Sequence, residues 1–186
     1  MQEDLFRASA IPGLLLVPDL IGATEEGELI RRIDDAALQP FRFQGWTGKR
    51  LTRSFGWSFD FDRGRMSVGE PIPEWLLPLR AKAAGFARLK PEDLGHALLL
   101  RYDAGAGIGW HKDRPAFEQV IGISLGAPCS MRLRQRRPGG FDRVSVPLAP
   151  RSAYLLRGQV RTDWEHSIIA LDETRWSITF RSLRAR

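Results

Sequence analysis

Hydrophobic and polar positions follow different patterns in the two halves of the chain. Before Gly95, apolar residues recur at helical spacing in residues 23–38 and 73–87. After Gly95, short apolar runs alternate with turns that contain glycine or proline, and no helical pattern separates the runs. These runs are residues 97–102, 119–125, 130–135, 143–148, 152–157, 167–171 and 175–183. The pattern predicts an all-β sandwich or barrel that helices from the first half cover.

Residues 41–62 fit neither pattern, because they mix aromatic, basic and glycine residues. We expect the part from Trp46 to Arg53 to form an exposed substrate lid, in which Trp46 stacks on bases while Arg50 and Arg53 hold phosphates. The alternative is a core hairpin, since the remaining aromatic residues alternate with period 2. Those residues are Phe55, Trp57 and Phe59. We predict that this alternating set lies mostly in the core.

Composition narrows the class of protein. The chain has 186 residues, 43% of them hydrophobic, which fits one domain with a real core. Within the domain 1–186 we expect residues 1–95 to form N-terminal helices and the lid, and residues 96–186 the β core. No apolar run reaches the ~18 residues of a membrane helix, and the single cysteine excludes a disulfide framework. We therefore expect a cytoplasmic protein, with no membrane partner and most simply monomeric.

A positive net charge favours polyanionic partners. The chain carries 28 basic and 22 acidic residues, a net charge of +6, and such a surplus favours nucleic acid. In the run SMRLRQRR, strand periodicity puts Arg132, Arg134 and Arg136 on one face. That face either binds an anion or is a solvated strand edge that resists aggregation.

Two histidines and an aspartate are the candidate metal ligands. His111 and Asp113 are two residues apart, so in an extended segment both side chains lie on one face. His166 follows 55 residues later, at the start of another predicted strand. Two histidines and one carboxylate form the facial triad of non-haem Fe(II) oxygenases, which leaves open positions on the metal. The alternative for an isolated His-x-Asp is an ordinary surface pair.

The final predicted strand, RWSITFR, supports the prediction of a metal site. Alternation places Arg175, Ser177, Thr179 and Arg181 on one face and apolar residues on the other. Two arginines on the inner face of a small barrel are costly without an anionic partner, and a dicarboxylate would satisfy them. The alternative is an outer face of solvated arginines.

These motifs together resemble the AlkB family of Fe(II)/2-oxoglutarate dioxygenases. The resemblance covers residues 45–184 and rests on four segments in order: LLLRYDAGAGIGWHKD, IGISLGAP, RSAYLLRG before DWEHSI, and RWSITFR. The segments RLTRSFGWSF and PAFEQVIGISLG are most similar to the branch of AlkB homologues that hydroxylates wobble uridine in tRNA.

The resemblance implies a fold, a reaction and a set of site residues. The implied fold is α+β but mainly β: a double-stranded β-helix (jelly roll) with N-terminal helices packed on it. His111, Asp113 and His166 would hold Fe(II), while Arg175 and Tyr102 would bind the distal carboxylate of 2-oxoglutarate. Arg181 would lie near the chelating carboxylate and orient Asp113. Residues expected to line the cosubstrate pocket are Leu98, Ile108, Val120, Gly122 and Ser177.

The resemblance also implies what is consumed and what is modified. Fe(II), 2-oxoglutarate and O2 would act together to demethylate or hydroxylate a nucleic-acid base, in single-stranded DNA, RNA or tRNA, as in alkylation repair or tRNA modification. Three positions depart from the bacterial repair enzyme, since Leu100 and Ser177 replace asparagines and Pro115 replaces an acidic residue that helps to read the base. Base recognition must therefore differ from that of the repair enzyme, which acts on 1-methyladenine.

Other functions remain open from the sequence. An AlkB-like oxygenase could act on a protein or a small molecule, and a nucleic-acid-binding module could carry a vestigial metal site. A zinc hydrolase explains neither Arg175 nor Arg181. We expect His96 to be structural, Cys129 to be a buried thiol, and three tryptophans to lie in the core. The three are Trp110, Trp164 and Trp176.

Overall fold

The structure is a computed structural model that describes residues 11–43, 46–60 and 65–184, leaving out the side chains of residues 42, 43, 46, 58–60, 65 and 66. Its strands are β1 (Leu14–Val17), β2 (Gln39–Phe43), β3 (Trp46–Asp60), β4 (Arg65–Val68), β5 (His96–Tyr102), β6 (Ile108–His111), β7 (Phe117–Gly126), β8 (Cys129–Arg137), β9 (Gly140–Leu148), β10 (Ala153–Leu156), β11 (Glu165–Ile168) and β12 (Arg175–Leu183). Its helices are α1 (Ala23–Asp34), α2 (Leu77–Ala87) and the short α3 (Gly158–Asp163), with 3-10 turns at Glu74–Leu76 and Pro91–Asp93.

Within the described residues the strands form two sheets. The main sheet has eight strands in the order β1-β10-β7-β12-β5-β3-β2, with β4 paired to β3. The minor sheet has four strands in the order β6-β11-β8-β9. Every strand pair is antiparallel. Strand β12 lies in the centre of the main sheet, between β5 and β7, so residues on its inner face are surrounded by other strands.

Alternation along the central strands separates two cores. Ile121, Ile123 and Leu125 of β7 pack with residues of α1 and α2, so the helices cover one face of the main sheet. The opposite face meets the minor sheet, where Val120 and Leu156 pack against Met131 and Leu133. The site described below lies in this space between the two sheets.

The predicted seven strands of the second half are all present, but three features differ from the expectations. Helix α1 ends at Asp34 rather than continuing to residue 38, because Ala37 has a left-handed backbone with φ of 50°. The helix expected from Pro73 starts as a 3-10 turn and becomes α-helical at Leu77, with Pro78 in its first turn, where the missing amide is tolerated. A short helix, α3, also interrupts the β half between β10 and β11.

The division at residue 95 does not separate helices from sheet. Strand β1 pairs with β10 and β3 pairs with β5, so residues from the first half extend the main sheet on both sides. Phe55 is buried, as expected, but Trp57 is 40% exposed, because β3 leaves its pairing with β5 at Gly56. Phe59 belongs to the side chains that are not described. No helix in the described part of the chain is long and apolar enough to cross a membrane.

Candidate active site

The candidate site is built on the inner face of β12. The side chains that alternation places on that face are all at most 12% exposed, although they are polar or charged. They are Arg175, Ser177, Thr179 and Arg181. The other face of the strand carries Trp176, Ile178 and Phe180, which pack with the helices. The predicted sidedness of this strand is therefore confirmed by burial.

The minor sheet brings the three candidate metal ligands together. His111 at the end of β6 pairs directly with His166 in β11, and the two imidazole rings lie 4.2 Å apart between centroids. Asp113 follows β6, and its Oδ2 is 3.6 Å from Nε2 of His166. Strand pairing thus joins residues that are 55 positions apart in sequence.

Arg181 fixes Asp113 from the main sheet. The Arg181 guanidinium donates from Nε (2.8 Å) and Nη2 (2.7 Å) to the same carboxylate oxygen, Oδ1. Its Nη1 lies 3.3 Å from Nδ1 of His96, the residue opposite Arg181 in β5. A guanidinium only donates, so His96 must accept through an unprotonated Nδ1. His96 has a structural role here, as the sequence led us to expect.

Burial and neighbouring charges set the ionisation of this cluster. Burial alone would raise the pKa of Asp113, but Arg181, with His166 and His111, outweighs it and holds that pKa well below its usual value. Burial, followed by the neighbouring His111, lowers the pKa of His166 to about 3. Burial also lowers the pKa of His111. The site therefore presents one carboxylate and two neutral imidazoles, the forms that bind a cation.

The Arg175 end of the strand carries a different arrangement. Arg175 is 1% exposed, and its Nε and Nη2 donate to the hydroxyl of Ser124 at 3.3 and 3.1 Å. The guanidinium lies 5.5 Å from the centroid of the Tyr102 ring. Its Nη1 is buried and has no hydrogen-bond partner among the described residues. A buried donor without a partner is costly, so an acceptor supplied by a ligand at this nitrogen would be stabilised.

The other predicted pocket residues lie around this space. Leu98 and Ile108 pack with Leu100 and Tyr102 in one small cluster, next to the predicted cosubstrate site. The remaining three lie on the inner faces of β7 and β12. They are Val120, Gly122 and Ser177. Their contact with the cosubstrate stays a prediction.

Gly122 leads to a residue that the sequence analysis missed. A Cβ at Gly122 would clash with the ring of Tyr154, so only glycine leaves room for this partly buried tyrosine. Burial raises the pKa of Tyr154, so its phenol stays protonated beside Arg175 and Asp113. A glycine in the middle of an apolar strand often marks such a close approach, and it could have pointed to Tyr154.

Arg161 of α3 is a second residue that the sequence did not reveal. It is buried, and its Nη2 donates to the carbonyls of Arg114 and of Phe117, the latter at 2.9 Å. These carbonyls flank the segment that follows Asp113, so Arg161 holds the aspartate's loop against the sheet. No sequence pattern distinguishes this arginine, because α3 is too short to show helical periodicity.

The predicted lid is not an exposed loop in the part that the structure describes. Arg50 lies on the inner face of β3 and is 8% exposed, with its guanidinium 3.8 Å from the centroid of the Phe41 ring and its Nε without a partner. Arg53 lies on the opposite face, where it bonds Glu70 and the carbonyl of Ala36, so the structure does not bring it to the site. The Trp46 side chain falls outside the described residues.

These residues fit Fe(II) and 2-oxoglutarate. Nδ1 of His111 donates to the Gly109 carbonyl at 2.9 Å, which leaves Nε2 for a metal and matches how ligating histidines are usually oriented. The partnerless Nη1 of Arg175 fits a carboxylate. Across residues 11–43, 46–60 and 65–184, no three His, Cys, Asp or Glu side chains already stand in metal-binding geometry. Side-chain rearrangement is therefore needed for His111, Asp113 and His166 to share one ion.

Comparison with known families agrees with this site. The family model described as the 2OG-Fe(II) oxygenase superfamily matches residues 13–181. A mouse protein, tRNA (carboxymethyluridine(34)-5-O)-methyltransferase ALKBH8, is 30% identical over 168 residues, which cover 84% of this chain and 24% of that protein. The Arabidopsis thaliana protein called alkylated DNA repair protein ALKBH8 homolog is 27% identical over 185 residues, covering 85% of this chain and 51% of that protein.

Solved structures show the same fold. The structure titled "The structure of OsALKBH1" aligns with a TM-score of 0.67 at 17% identity, over 92% of this chain and 97% of that chain. A prolyl-4-hydroxylase of Pseudomonas putida aligns with a TM-score of 0.64 at 14% identity, over the full length of both chains. The expected jelly-roll core and the AlkB-like resemblance are confirmed. The chain spans only about a quarter of the mouse relative and about half of the Arabidopsis one.

Proposed function

Because the chain belongs to the 2OG-Fe(II) oxygenase superfamily, we propose that it demethylates or hydroxylates a nucleic-acid base. The protein is a dioxygenase, and its family confirms the expected use of Fe(II), 2-oxoglutarate and O2. The mouse and Arabidopsis relatives carry names that refer to tRNA and to alkylated DNA, and this favours nucleic acid as the substrate class. The net charge of +6 supports the same class.

The observation that best supports oxygenase chemistry is the buried Arg175 nitrogen without a hydrogen-bond partner among the described residues, at the other end of β12 from Asp113 and the two histidines. His111, Asp113 and His166 would hold Fe(II), and Arg175 with Tyr102 would hold the distal carboxylate of 2-oxoglutarate. Together with O2 these cofactors supply an oxidant for a substrate C–H bond and yield succinate and CO2. The protein keeps Asp113 ionised through Arg181 and keeps both histidines neutral through burial.

Arg50 is the residue that we assign to the substrate side. In the β3–β5 register, Leu51 pairs with Arg101, so Arg50 lies beside Tyr102 at the same level as Arg175. Its buried Nε lacks a hydrogen-bond partner among the described residues. A guanidinium held on the Phe41 ring fits a base carbonyl or a phosphate. Pro115 offers no side-chain hydrogen bond to a base, so Arg50 supplies recognition that the position of Pro115 cannot.

The experiment that tests this function is product analysis by mass spectrometry. The protein is incubated with Fe(II), 2-oxoglutarate and ascorbate, together with methylated single- and double-stranded DNA, methylated RNA or bulk tRNA. Loss of a methyl group with formaldehyde release would establish a demethylase, and gain of one oxygen on a tRNA base would establish a hydroxylase. His111→Ala is the matched control, and we expect it to abolish succinate formation.

Two results would contradict the proposal in different ways. Succinate formation with no change in any nucleic acid would point to a protein or small-molecule substrate. Failure to bind Fe(II) and 2-oxoglutarate would point to a nucleic-acid-binding module with a vestigial site. A role in DNA repair, a monomeric state and a cytoplasmic location stay predictions; product analysis tests the first, and light scattering and cell fractionation test the other two.

A further inference from the structure

The outer face of the minor sheet carries a row of arginines that the oxygenase site does not use. Along β8, Met131 and Leu133 point inward and are buried, whereas Arg132, Arg134 and Arg136 lie on the opposite, solvent side. Arg143 of β9 is directly opposite Arg134 in the strand register and adds a fourth cation to this side. We name these four residues, with Trp110 and Phe141, the arginine face.

Aromatic rings hold these guanidiniums in place. The Trp110 ring lies 4.9 Å from the guanidinium carbon of Arg132 and 4.4 Å from that of Arg134. The Phe141 ring lies 4.5 Å from Arg134, 5.0 Å from Arg136 and 5.3 Å from Arg143. A cation stacked on a ring loses rotational freedom while its N–H groups still point away from the ring. These contacts favour one orientation of each guanidinium on the face.

The positive charge of the face is only partly neutralised. Arg134 pairs with Glu165 at 2.7 Å, and Arg132 donates to the Ser167 hydroxyl at 3.1 Å. Arg136 and Arg143 are exposed and form no ion pair with any residue in the described part of the chain. Protection of a sheet edge does not explain Arg132 and Arg134, because β8 is paired on both sides at these residues, with β11 and with β9.

We propose that the arginine face binds the sugar–phosphate backbone of the strand whose base enters the active site. Four cations that alternate along two neighbouring strands, with aromatic rings between them, match how proteins hold single-stranded nucleic acid. The face adjoins the site directly, since Trp110 and the candidate ligand His111 are consecutive residues on opposite faces of β6. A nucleic-acid strand bound on this face would reach the predicted iron site by crossing β6, which is an edge strand of the minor sheet. This inference rests on the proposed action on nucleic acid.

The test compares two double variants that change the net charge equally. Arg136→Gln/Arg143→Gln removes the two unpaired arginines of the face, and Arg31→Gln/Arg32→Gln removes two exposed arginines of α1, which covers the other side of the main sheet. Binding of a 20-nucleotide single-stranded RNA is measured between 50 and 200 mM salt. Each phosphate contact to a single strand contributes about 0.7 to the slope of log K against log salt. We expect the face variant to lose roughly 1.4 of that slope and the α1 variant to keep it.

A second variant tests the ordering of the face without changing its charge. Phe141→Leu removes the ring beneath three arginines, and we expect weaker RNA binding at every salt concentration with the slope preserved. Wild-type affinity and slope in the Arg136→Gln/Arg143→Gln variant would overturn the inference. If the wild-type protein turns over 2-oxoglutarate but neither binds nor modifies RNA, DNA or tRNA, the proposed function and this inference both fail, whereas a wild type that modifies nucleic acid and binds it independently of Arg136 and Arg143 overturns this inference alone.

Discussion

Each end of β12 carries an inward-facing arginine, but only one of the two is paired with a carboxylate in the described part of the chain. At the Arg181 end, the guanidinium donates twice to Asp113, so the protein itself satisfies the charge. At the Arg175 end, only a serine hydroxyl is available, and one buried nitrogen has no partner among the described residues. A buried charge that is paired internally contributes to the fold, whereas one left unpaired fits a ligand. Changes at the first end should thus alter stability, and changes at the second should alter binding.

The largest loss of stability is expected from Arg181→Met. This change leaves the Asp113 carboxylate, which is 6% exposed, without its cation, and breaking such a buried pair costs about 3–5 kcal/mol of unfolding free energy. Urea denaturation of the metal-free protein measures this quantity. The double variant Asp113→Leu/Arg181→Met removes both charges and should recover most of the loss. A single variant as stable as the wild type would show that the pair does not stabilise the fold.

A smaller loss is expected in the middle of the strand, where Thr179 pairs with Gly122. Gly122→Ala places a methyl group against the Tyr154 ring, and such overpacking costs about 1–3 kcal/mol of unfolding free energy. Tyr154→Leu removes the ring, so the double variant Gly122→Ala/Tyr154→Leu should be destabilised by less than the sum of the single changes. Additive losses in denaturation would contradict the contact.

A pH-dependent loss is expected at the Arg181 end. Burial, followed by the charge of Arg181, lowers the pKa of His96 well below its ordinary value of 6.5. Between that lowered pKa and about 6.5, the unfolded chain binds a proton that the folded protein does not bind. The contribution to stability is therefore complete above about pH 6.5 and is lost as the pH falls below it, by up to about 1.4 kcal/mol per pH unit.

The variant His96→Gln isolates this contribution, because the glutamine oxygen can still accept from Arg181 but does not titrate. His111 and His166 have pKa values lowered in the same direction, so the wild-type slope contains their contributions as well. Unfolding free energies measured between pH 5 and 7 in metal-free buffer should show a shallower acid dependence in the variant. An unchanged slope would mean that His96 is already accessible to protons in the folded state.

The smallest effect on stability is expected from Arg175→Met, which also gives the clearest contrast with Arg181→Met. Replacing an unsatisfied buried cation by an apolar side chain of similar length should leave the unfolding free energy unchanged or raise it. The same change should abolish the stabilisation that added 2-oxoglutarate gives the Mn(II)-loaded wild type, which thermal denaturation measures. Equal stabilisation of both proteins by 2-oxoglutarate would remove Arg175 from the cosubstrate site.

Local pattern was sufficient to predict the sidedness of β12 and seven of the eight strands after residue 95, but it missed β6 and α3. Alternation assigned Arg175 and Arg181 to the interior, and the strand assigned to residues 175–183 has the same bounds in the structure. The spacing of His111, Asp113 and His166 predicted one site, which the pairing of β6 with β11 brings together. The sidedness of β12 and the shared face of His111 and Asp113 follow from period 2, which can be read from the sequence, whereas the position of His166 depends on strand pairing.

The residues that the sequence did not reveal depend on pairing between distant segments. Tyr154 joins the site because β10 lies beside β7, and Arg161 because α3 packs against the loop after Asp113. The lid was predicted from the basic and aromatic composition of residues 46–53 rather than from their periodicity. Strand β3 pairs with β5 instead, which directs Arg50 inward and Arg53 away from the site. Composition alone does not determine which face of a strand is buried.

The central position of β12 also determines the order in which the protein can be assembled. This strand follows the other strands in chain order, yet it inserts between β5 and β7. During synthesis those two strands have unpaired edges until residue 183 has been added, and such edges readily pair with other chains. Pairings between distant segments also fold slowly. A polypeptide truncated before Arg175 would therefore aggregate or bind chaperones, rather than fold into an inactive enzyme.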